Sequence, residues 1–192
     1  MSYKNNEDSV DVFVVSDSIN PINTQLNMRL IDFKGTELKQ WNNSVAITAN
    51  SNESHLKLIK TTFLKECDSN KTLLYTELVS DKKVLSENIL YFIPNKDLAL
   101  SKPKISYSVQ EHKNQFGVEL TTDSLAKNVL LSTNSTHNFS DNYFDMLPNN
   151  KKTIHIKKGA SDDLDVFKEN LKITTITNTY FLNKGELCLL II

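Results

Sequence analysis

The stretch TQLNMRL, residues Thr24–Leu30, alternates polar and apolar side chains one by one after its first residue. Successive side chains of an extended chain point to opposite faces, so Leu26, Met28 and Leu30 share one face. The polar residues between them share the other face. Strict alternation of this kind predicts a strand of an antiparallel sheet, with one face on a core and one in water.

The same two-residue period recurs outward from this stretch, at residues 45–48, 56–59, 89–93, 105–109, 116–120 and 154–156. In the run at 89–93 it places Ile89, Tyr91 and Ile93 on one face. Turn-forming residues separate the runs, at 17–21, 34–35, 42–43, 68–70, 81–83 and 148–150. Many short strands with frequent turns predict an all-β fold built from antiparallel β-sandwiches.

A domain boundary is predicted at residues 94–103, PNKDLALSKP, which carry two prolines directly after a strand pattern. Proline cannot donate to a sheet ladder and tends to end strands. A break here leaves pieces of about 100 and about 90 residues, each near the size of an immunoglobulin-like sandwich. We therefore predict two consecutive immunoglobulin-like domains, at residues 1–97 and 98–192.

Two segments depart from the alternating pattern. Residues 161–168, SDDLDVFK, are the best helix candidate, with Ser161 as a candidate N-cap and acidic residues in the first turn. Residues 187–192, LCLLII, form an unbroken apolar run. A run of this kind predicts a strand buried on both faces or covered by a partner. We expect residues 184–192 to be inessential to the fold.

Composition excludes several classes of partner. The formal net charge is −1, and acids and bases alternate without a basic block, so we expect no nucleic-acid partner. No apolar run approaches the roughly 20 residues that span a membrane, so we expect no membrane partner. The polar start, MSYKNNEDSV, lacks the apolar core of a signal peptide. The two cysteines, Cys67 and Cys188, are too few for a disulfide framework and are expected to be free thiols.

Catalytic material is sparse. The four histidines are scattered, and the sequence has no GxSxG, HExxH or glycine-rich phosphate motif. With only four glycines in the chain, a phosphate-binding loop is also disfavoured. We therefore assign no catalytic residue, cofactor or metal, and we do not expect a free-standing enzyme.

The most unusual segment is Asn138–Pro148, NFSDNYFDMLP, which mixes aromatic and acidic residues. One hypothesis is a calcium loop, because Asp141, Asn142 and Asp145 are oxygen donors. The spacing, however, lacks the regular ligand alternation and the glycine of known calcium loops.

Two other hypotheses compete for the same segment. It can be a sugar platform, on which Tyr143 or Phe144 stacks against a pyranose while carboxylates bind hydroxyl groups. It can also be a structural crossover, in which aromatic side chains close the sandwich edge and acidic ones bind local N–H groups. The lone tryptophan, Trp41, has the same two interpretations: an exposed sugar-stacking residue or a cover for a sandwich edge.

Several segments together resemble the two domains at the C-terminal end of bacterial β-mannosidases of glycoside hydrolase family 2. They are VFVVSD (12–17), TQLNMRLIDFKGTEL (24–38), YFIPNKDLALSKPKI (91–105), DSLAKNVLLST (123–133), FSDNYFDMLPNNKKTI (139–154) and ITNTY (176–180). The similarity covers roughly residues 10 to 180. The segment at 139–154 is its most specific part, and its place in an accessory domain favours the structural crossover.

The resemblance implies a parent enzyme that is a retaining exo-β-mannosidase. Its catalytic carboxyls, about 5 Å apart in such enzymes, would lie on a barrel that needs roughly 250 residues. This chain would be a non-catalytic scaffold for the barrel of the same parent chain. The alternative is a carbohydrate-binding module for mannose-containing glycans. A homo-oligomer and a periplasmic or extracellular parent are both compatible with the resemblance.

Overall fold

The computed structural model describes residues 1–159 and 163–181, and strands dominate both ranges. The chain divides into two compact units, with the boundary between Ala99 and Leu100. All strand pairing within the described sheets is antiparallel. The predicted fold class, all-β with two consecutive sandwiches, is confirmed.

The first unit pairs a three-stranded sheet with a four-stranded sheet. Its elements are β1 (Ser2–Asn5), β2 (Ser9–Ser16), β3 (Ile22–Asp32), β4 (Glu37–Ile47), β5 (Ser51–Ile59), the single helical turn α1 (Lys60–Phe63), β6 (Thr72–Ser80) and β7 (Lys83–Tyr91). The strand orders are β1-β2-β5 and β4-β3-β6-β7. A 3₁₀ turn at Asn95–Asp97 follows β7.

The core of the first unit lies between these two sheets. Leu26, Met28 and Leu30 of β3 are fully buried, as their alternation predicts. Inward residues of β2 and β5 are buried with them in one apolar cluster. The core therefore results directly from the two-residue period of the sequence.

Two details of the first unit differ from the sequence prediction. Residues 42–43 are not a turn: Asn42 and Asn43 lie inside β4 and pair with β3. The hairpin turns earlier, where Gly35 takes a φ of 90° and the Asp32 carboxylate accepts hydrogen bonds from the backbone of Lys34 and Thr36. A glycine accommodates this left-handed backbone without a Cβ clash, whereas two asparagines are compatible with either a turn or an exposed edge strand.

The second difference is the face presented by β7 and the residue after it. Leu90 and Phe92 pack against the core cluster, rather than Ile89, Tyr91 and Ile93. Tyr91 instead makes an edge-to-face contact with Phe33. The segment NILYFI is apolar at both phases of the two-residue period, so alternation cannot select the inner face.

The second unit is also a two-sheet structure. Its elements are β8 (Ile105–His112), β9 (Gln115–Thr122), β10 (Ala126–Ser132), β11 (Phe144–Met146), β12 (Lys151–Lys157), α2 (Leu164–Asn170), β13 (Lys172–Thr174) and α3 (Ile176–Phe181). The strand orders are β12-β9-β8 and β11-β10-β13. Phe116, Val118 and Leu120 of β9 are fully buried, and Phe116 stacks on Phe167 of α2 at 4.4 Å between ring centroids.

The helix predicted at 161–168 begins later in the structure. Its N-cap is Asp163, whose carboxylate accepts hydrogen bonds from the backbone N–H groups of Asp165 and Val166. The predicted cap, Ser161, lies outside the described residues, as do Cys188 and the apolar run at 187–192. Cys67 is a free thiol. Within residues 1–159 and 163–181, no helix is long and apolar enough to cross a membrane.

Candidate functional site

The segment Asn138–Pro148 passes from one sheet of the second unit to the other. At its start, Phe139 forms an isolated β-bridge with Ile156, which lies on β12. At its end, β11 pairs with β10 of the opposite sheet. Phe144 and Leu147 are buried, whereas Phe139 is half-buried against the same core. The aromatic residues of this segment therefore do not share one exposed platform.

Asn142 uses its side-chain amide as a substitute for a neighbouring strand. Its Oδ1 accepts a hydrogen bond from the backbone N–H of Leu131 at 2.7 Å, and its Nδ2 donates to the carbonyl of the same residue at 2.9 Å. One amide thus satisfies both backbone groups of a residue on β10. Unpaired buried backbone groups are costly, so this contact is a structural role for Asn142.

Asp145 holds an irregular point of β10. Its Oδ2 accepts from Lys127 Nζ at 2.9 Å, and its Oδ1 accepts from the backbone N–H of Asn128 at 2.8 Å. Asn128 has a φ of 51° and lies where the register of the β10–β11 pair shifts. The Lys127 and Asp145 side chains are only 6% and 16% exposed, so this is a buried ion pair.

Asp141 and Phe144 share one partner, Lys152 of β12. The Lys152 ammonium lies 4.2 Å from the centroid of the Phe144 ring and 2.6 Å from Asp141 Oδ2. A cation–π contact and an ionic contact therefore hold the Lys152 side chain together. Asp141 Oδ1 also accepts a hydrogen bond from the backbone of Asn142.

Tyr143 is the exception in the segment, because its side chain is 68% exposed. Its backbone has a φ of 61°, a left-handed conformation that bulky residues rarely adopt. Its N–H donates to the carbonyl of Val129 at 2.8 Å. The structure thus separates Tyr143, which faces solvent, from its neighbours Asn142 and Phe144, which make internal contacts.

The three oxygen donors considered for calcium do not converge in this structure. Asn142 Oδ1 is bonded to the backbone of Leu131, and the Asp145 carboxylate to Lys127 and Asn128. Among the described residues, no group of three histidine, cysteine, aspartate or glutamate side chains has the arrangement of a metal site. The described donors therefore give the calcium hypothesis no support.

Trp41 lies on β4, the edge strand of the four-stranded sheet, and is half-buried. Its ring makes an edge-to-face contact with Phe63 of α1, with 6.0 Å between centroids. Phe63 in turn contacts Phe92, so the three rings close one side of the first core. These contacts are the kind expected of a residue that covers a sandwich edge.

Sequence patterns did not single out one polar cluster, which is centred on Tyr75 of β6. The Tyr75 hydroxyl lies 2.8 Å from Glu77 Oε1 and 2.8 Å from Glu87 Oε2. Burial, followed by the two carboxylates, raises the pKa of Tyr75 far above its ordinary value. Glu77 and Glu87 are directly opposite on β6 and β7, a like-charge pairing that destabilises a sheet. The tyrosine hydroxyl between them offsets that repulsion. Cross-strand pairing, which depends on register, is what brings the three residues together.

Two families of known domains match the chain in tandem. Residues 8–97 match the family described as a mannosidase Ig/CBM-like domain, and residues 100–179 match Ig_mannosidase, described as an Ig-fold domain. No curated protein sequence matched the chain.

Solved structures of glycosidases are similar to the chain over nearly its whole length. A β-D-mannosidase from Dictyoglomus thermophilum aligns with 91% of this chain at a TM-score of 0.75 and 24% identity, over 21% of its own chain. An exo-chitosanase from Amycolatopsis orientalis aligns with 90% of this chain at a TM-score of 0.57 and 13% identity, over 25% of its own chain. At these identities the likeness establishes the fold.

This chain therefore corresponds in length to about a fifth to a quarter of those enzymes. Its first unit matches the mannosidase Ig/CBM-like domain, and its second unit matches the Ig-fold domain. The chain belongs to the mannosidase Ig/CBM-like domain family through its first unit and to the Ig-fold domain family Ig_mannosidase through its second, and it is a tandem immunoglobulin-like region of the mannosidase type.

Proposed function

We propose that this chain is the non-catalytic accessory region of a family 2 β-mannosidase, and that it supports the catalytic barrel of the same parent chain. The tandem match to both mannosidase-type domain families carries this proposal. The parent is expected to be a retaining enzyme that removes terminal β-D-mannosyl residues.

The contacts of Asp141 and Asp145 in the segment at 138–148 favour a structural role over a catalytic one. A retaining glycosidase needs two carboxyl groups about 5 Å apart on either side of the scissile bond. Asp145 is buried against Lys127, and Asp141 is bound to Lys152. The buried Asp145 therefore lacks the open position of an acid/base or nucleophile, and the exposed Asp141 has no second open carboxyl group beside it in this segment.

The first test is turnover of p-nitrophenyl β-mannoside by the purified 192-residue chain. We expect none above the buffer rate, with the intact parent enzyme as the positive control. Measurable turnover that disappears in Asp141→Ala or Asp145→Ala would contradict the accessory role.

A second test addresses the support of the barrel. Removing this region from the parent enzyme should lower its yield of soluble protein and its melting temperature, because the surface that the region covers becomes exposed. The kcat/KM of the remaining folded fraction should change little. A truncated enzyme that matches the parent in melting temperature would count against the supporting role.

A further inference from the structure

The backbone of Tyr143 is strained for a residue whose side chain gains little from burial. A left-handed φ of 61° is unfavourable for an aromatic residue, whereas glycine or asparagine adopts it readily. The core cannot explain the tyrosine, because 68% of its side chain is exposed. Strain that burial does not offset is characteristic of residues with a functional contact.

The surrounding contacts hold Tyr143 rigidly at its base. On one side, Asn142 is fixed by two hydrogen bonds to Leu131. On the other side, Phe144 is buried and Tyr143 itself donates its N–H to Val129. The ring is therefore presented from a preorganised loop, which lowers the entropic cost of binding a ligand.

The exposed residues that flank Tyr143 along the chain are polar. The exposed residues nearest to it in the chain are Asn138, Ser140, Asp141, Asn149 and Asn150. A protein-binding hot spot is normally surrounded by further apolar contacts. An exposed aromatic ring whose exposed neighbours along the chain carry hydroxyl, amide and carboxylate groups instead suits a ligand with an apolar face and many hydroxyl groups.

We propose that Tyr143 is the stacking platform of a saccharide-binding site in the second unit. The ring would pack on the C–H face of a hexopyranose, and the Asp141 carboxylate would accept hydrogen bonds from its hydroxyl groups. Lys152 and the backbone of Asn142 already orient that carboxylate. The choice of β-linked mannose units as the ligand rests on the proposed function, whereas the site itself rests on Tyr143.

The decisive variant is Tyr143→Gly in the full 192-residue chain. Glycine fits the left-handed backbone, so the melting temperature should be equal to or above that of the native chain. Binding of β-1,4-mannotetraose, measured by isothermal titration calorimetry, should weaken at least tenfold. Tyr143→Phe keeps the ring and should retain most of the affinity. Tyr143→Asn, a second residue that tolerates this φ, gives the same test if glycine loosens the loop.

The matched control is Tyr107→Ala, since Tyr107 is another tyrosine of the same unit and is 49% exposed. This variant should bind the tetrasaccharide like the native chain. No binding by the native chain to any saccharide tested, or equal binding by native chain and Tyr143→Gly, would overturn the proposal. The same titrations are repeated with a glucosamine tetrasaccharide as a second ligand. Tyr143-dependent binding of this ligand alone would uphold the site but count against a mannoside-specific parent.

Discussion

At the scale of single residues, neighbouring positions in one short segment have opposite roles. Asn142 and Phe144 make internal contacts, whereas Tyr143 between them faces solvent. The sequence placed all three among the candidate site residues, because aromatic and amide side chains serve structure and recognition alike. Alternation could not separate them, since the left-handed backbone at Tyr143 interrupts the two-residue period.

Asn142→Asp tests the role of the amide as a substitute strand. A carboxylate has no N–H to donate, so the Leu131 carbonyl loses its partner and faces a negative oxygen. We expect the free energy of unfolding of the second unit to fall by about 1–3 kcal/mol. Urea denaturation monitored by circular dichroism measures this change in the free energy of unfolding. Asn138→Asp, the same chemical change at an exposed position of the segment, is the control and should have little effect.

Asp123 gives the second unit a defined dependence on pH. The backbone N–H of Lys104 donates to its carboxylate and is the largest cause that holds the pKa of Asp123 below its ordinary value of 3.8. A lowered pKa in the folded state means that the charged form stabilises the fold. This contribution is fully present above about pH 3.8 and is lost as the pH falls through the lower folded value.

Asp123→Asn removes the charge and keeps an oxygen acceptor. We expect this variant to melt below the native chain at neutral pH, by a modest amount because Asp123 is exposed. The difference should shrink as the pH falls below 3.8. Thermal melts across this pH range measure it. A difference that stays constant down to the lowest pH would show that the carboxylate charge is not responsible.

At the scale of elements, β10 is the strand on which the candidate segment depends. Asn142 bonds to Leu131 near its C-terminal end, Tyr143 donates to Val129, and Asp145 holds the irregular backbone at Asn128. The buried Lys127 ammonium completes this arrangement. A lysine on a central strand is normally assigned to a solvent-exposed face, so its burial and its partner could not be read from the sequence.

The Lys127–Asp145 pair should behave as a coupled unit. Asp145→Asn takes the Asp145 carboxylate away from the buried Lys127 ammonium, and we expect a loss of about 3–5 kcal/mol in the free energy of unfolding. The double variant Lys127→Met/Asp145→Asn removes the charge as well and should recover part of that loss. A double-mutant cycle by chemical denaturation gives the coupling energy. Additive effects of the two substitutions would show that the pair is not coupled.

Sequence patterns determined the elements with unequal success, for physical reasons. Strands with one apolar phase, such as β3 and β9, were assigned to the correct face. For β7, apolar side chains at both phases left the inner face undetermined. The Asn42–Asn43 pair predicts a turn because asparagine favours turns locally, but the pairing of β4 along nearly all of β3 overrides that preference. The short helix α1 and strand β13 lack the length that periodicity needs.

At the scale of the whole molecule, each unit contains its own apolar core. The first cluster is built from residues of β2, β3 and their neighbours, and the second from residues of β9, β10 and β12. A separate core is the main requirement for independent folding. The predicted domain limits of 1–97 and 98–192 differ by two residues from the boundary between the compact units.

Expressing residues 1–99 and 100–192 separately tests whether the units fold alone. We expect two soluble proteins, each with a cooperative thermal transition and a β-type circular dichroism spectrum. The first piece keeps Leu98, which is buried, and Ala99, whose N–H donates to Asn70. A piece ending at residue 97 is the comparison and should be less stable than the piece ending at 99.

The position of Trp41 has a consequence for spectroscopy. It is the only tryptophan of the chain, and it packs against Phe63 inside the first unit. Tryptophan fluorescence therefore comes from the first unit, and the second unit contributes none of it. A thermal denaturation curve followed by tryptophan fluorescence would show only the transition of the first unit, even if the two units unfold at different temperatures. A glycan that occupies Tyr143 contacts a unit without a tryptophan, so calorimetry rather than indole emission is the direct measurement of its binding.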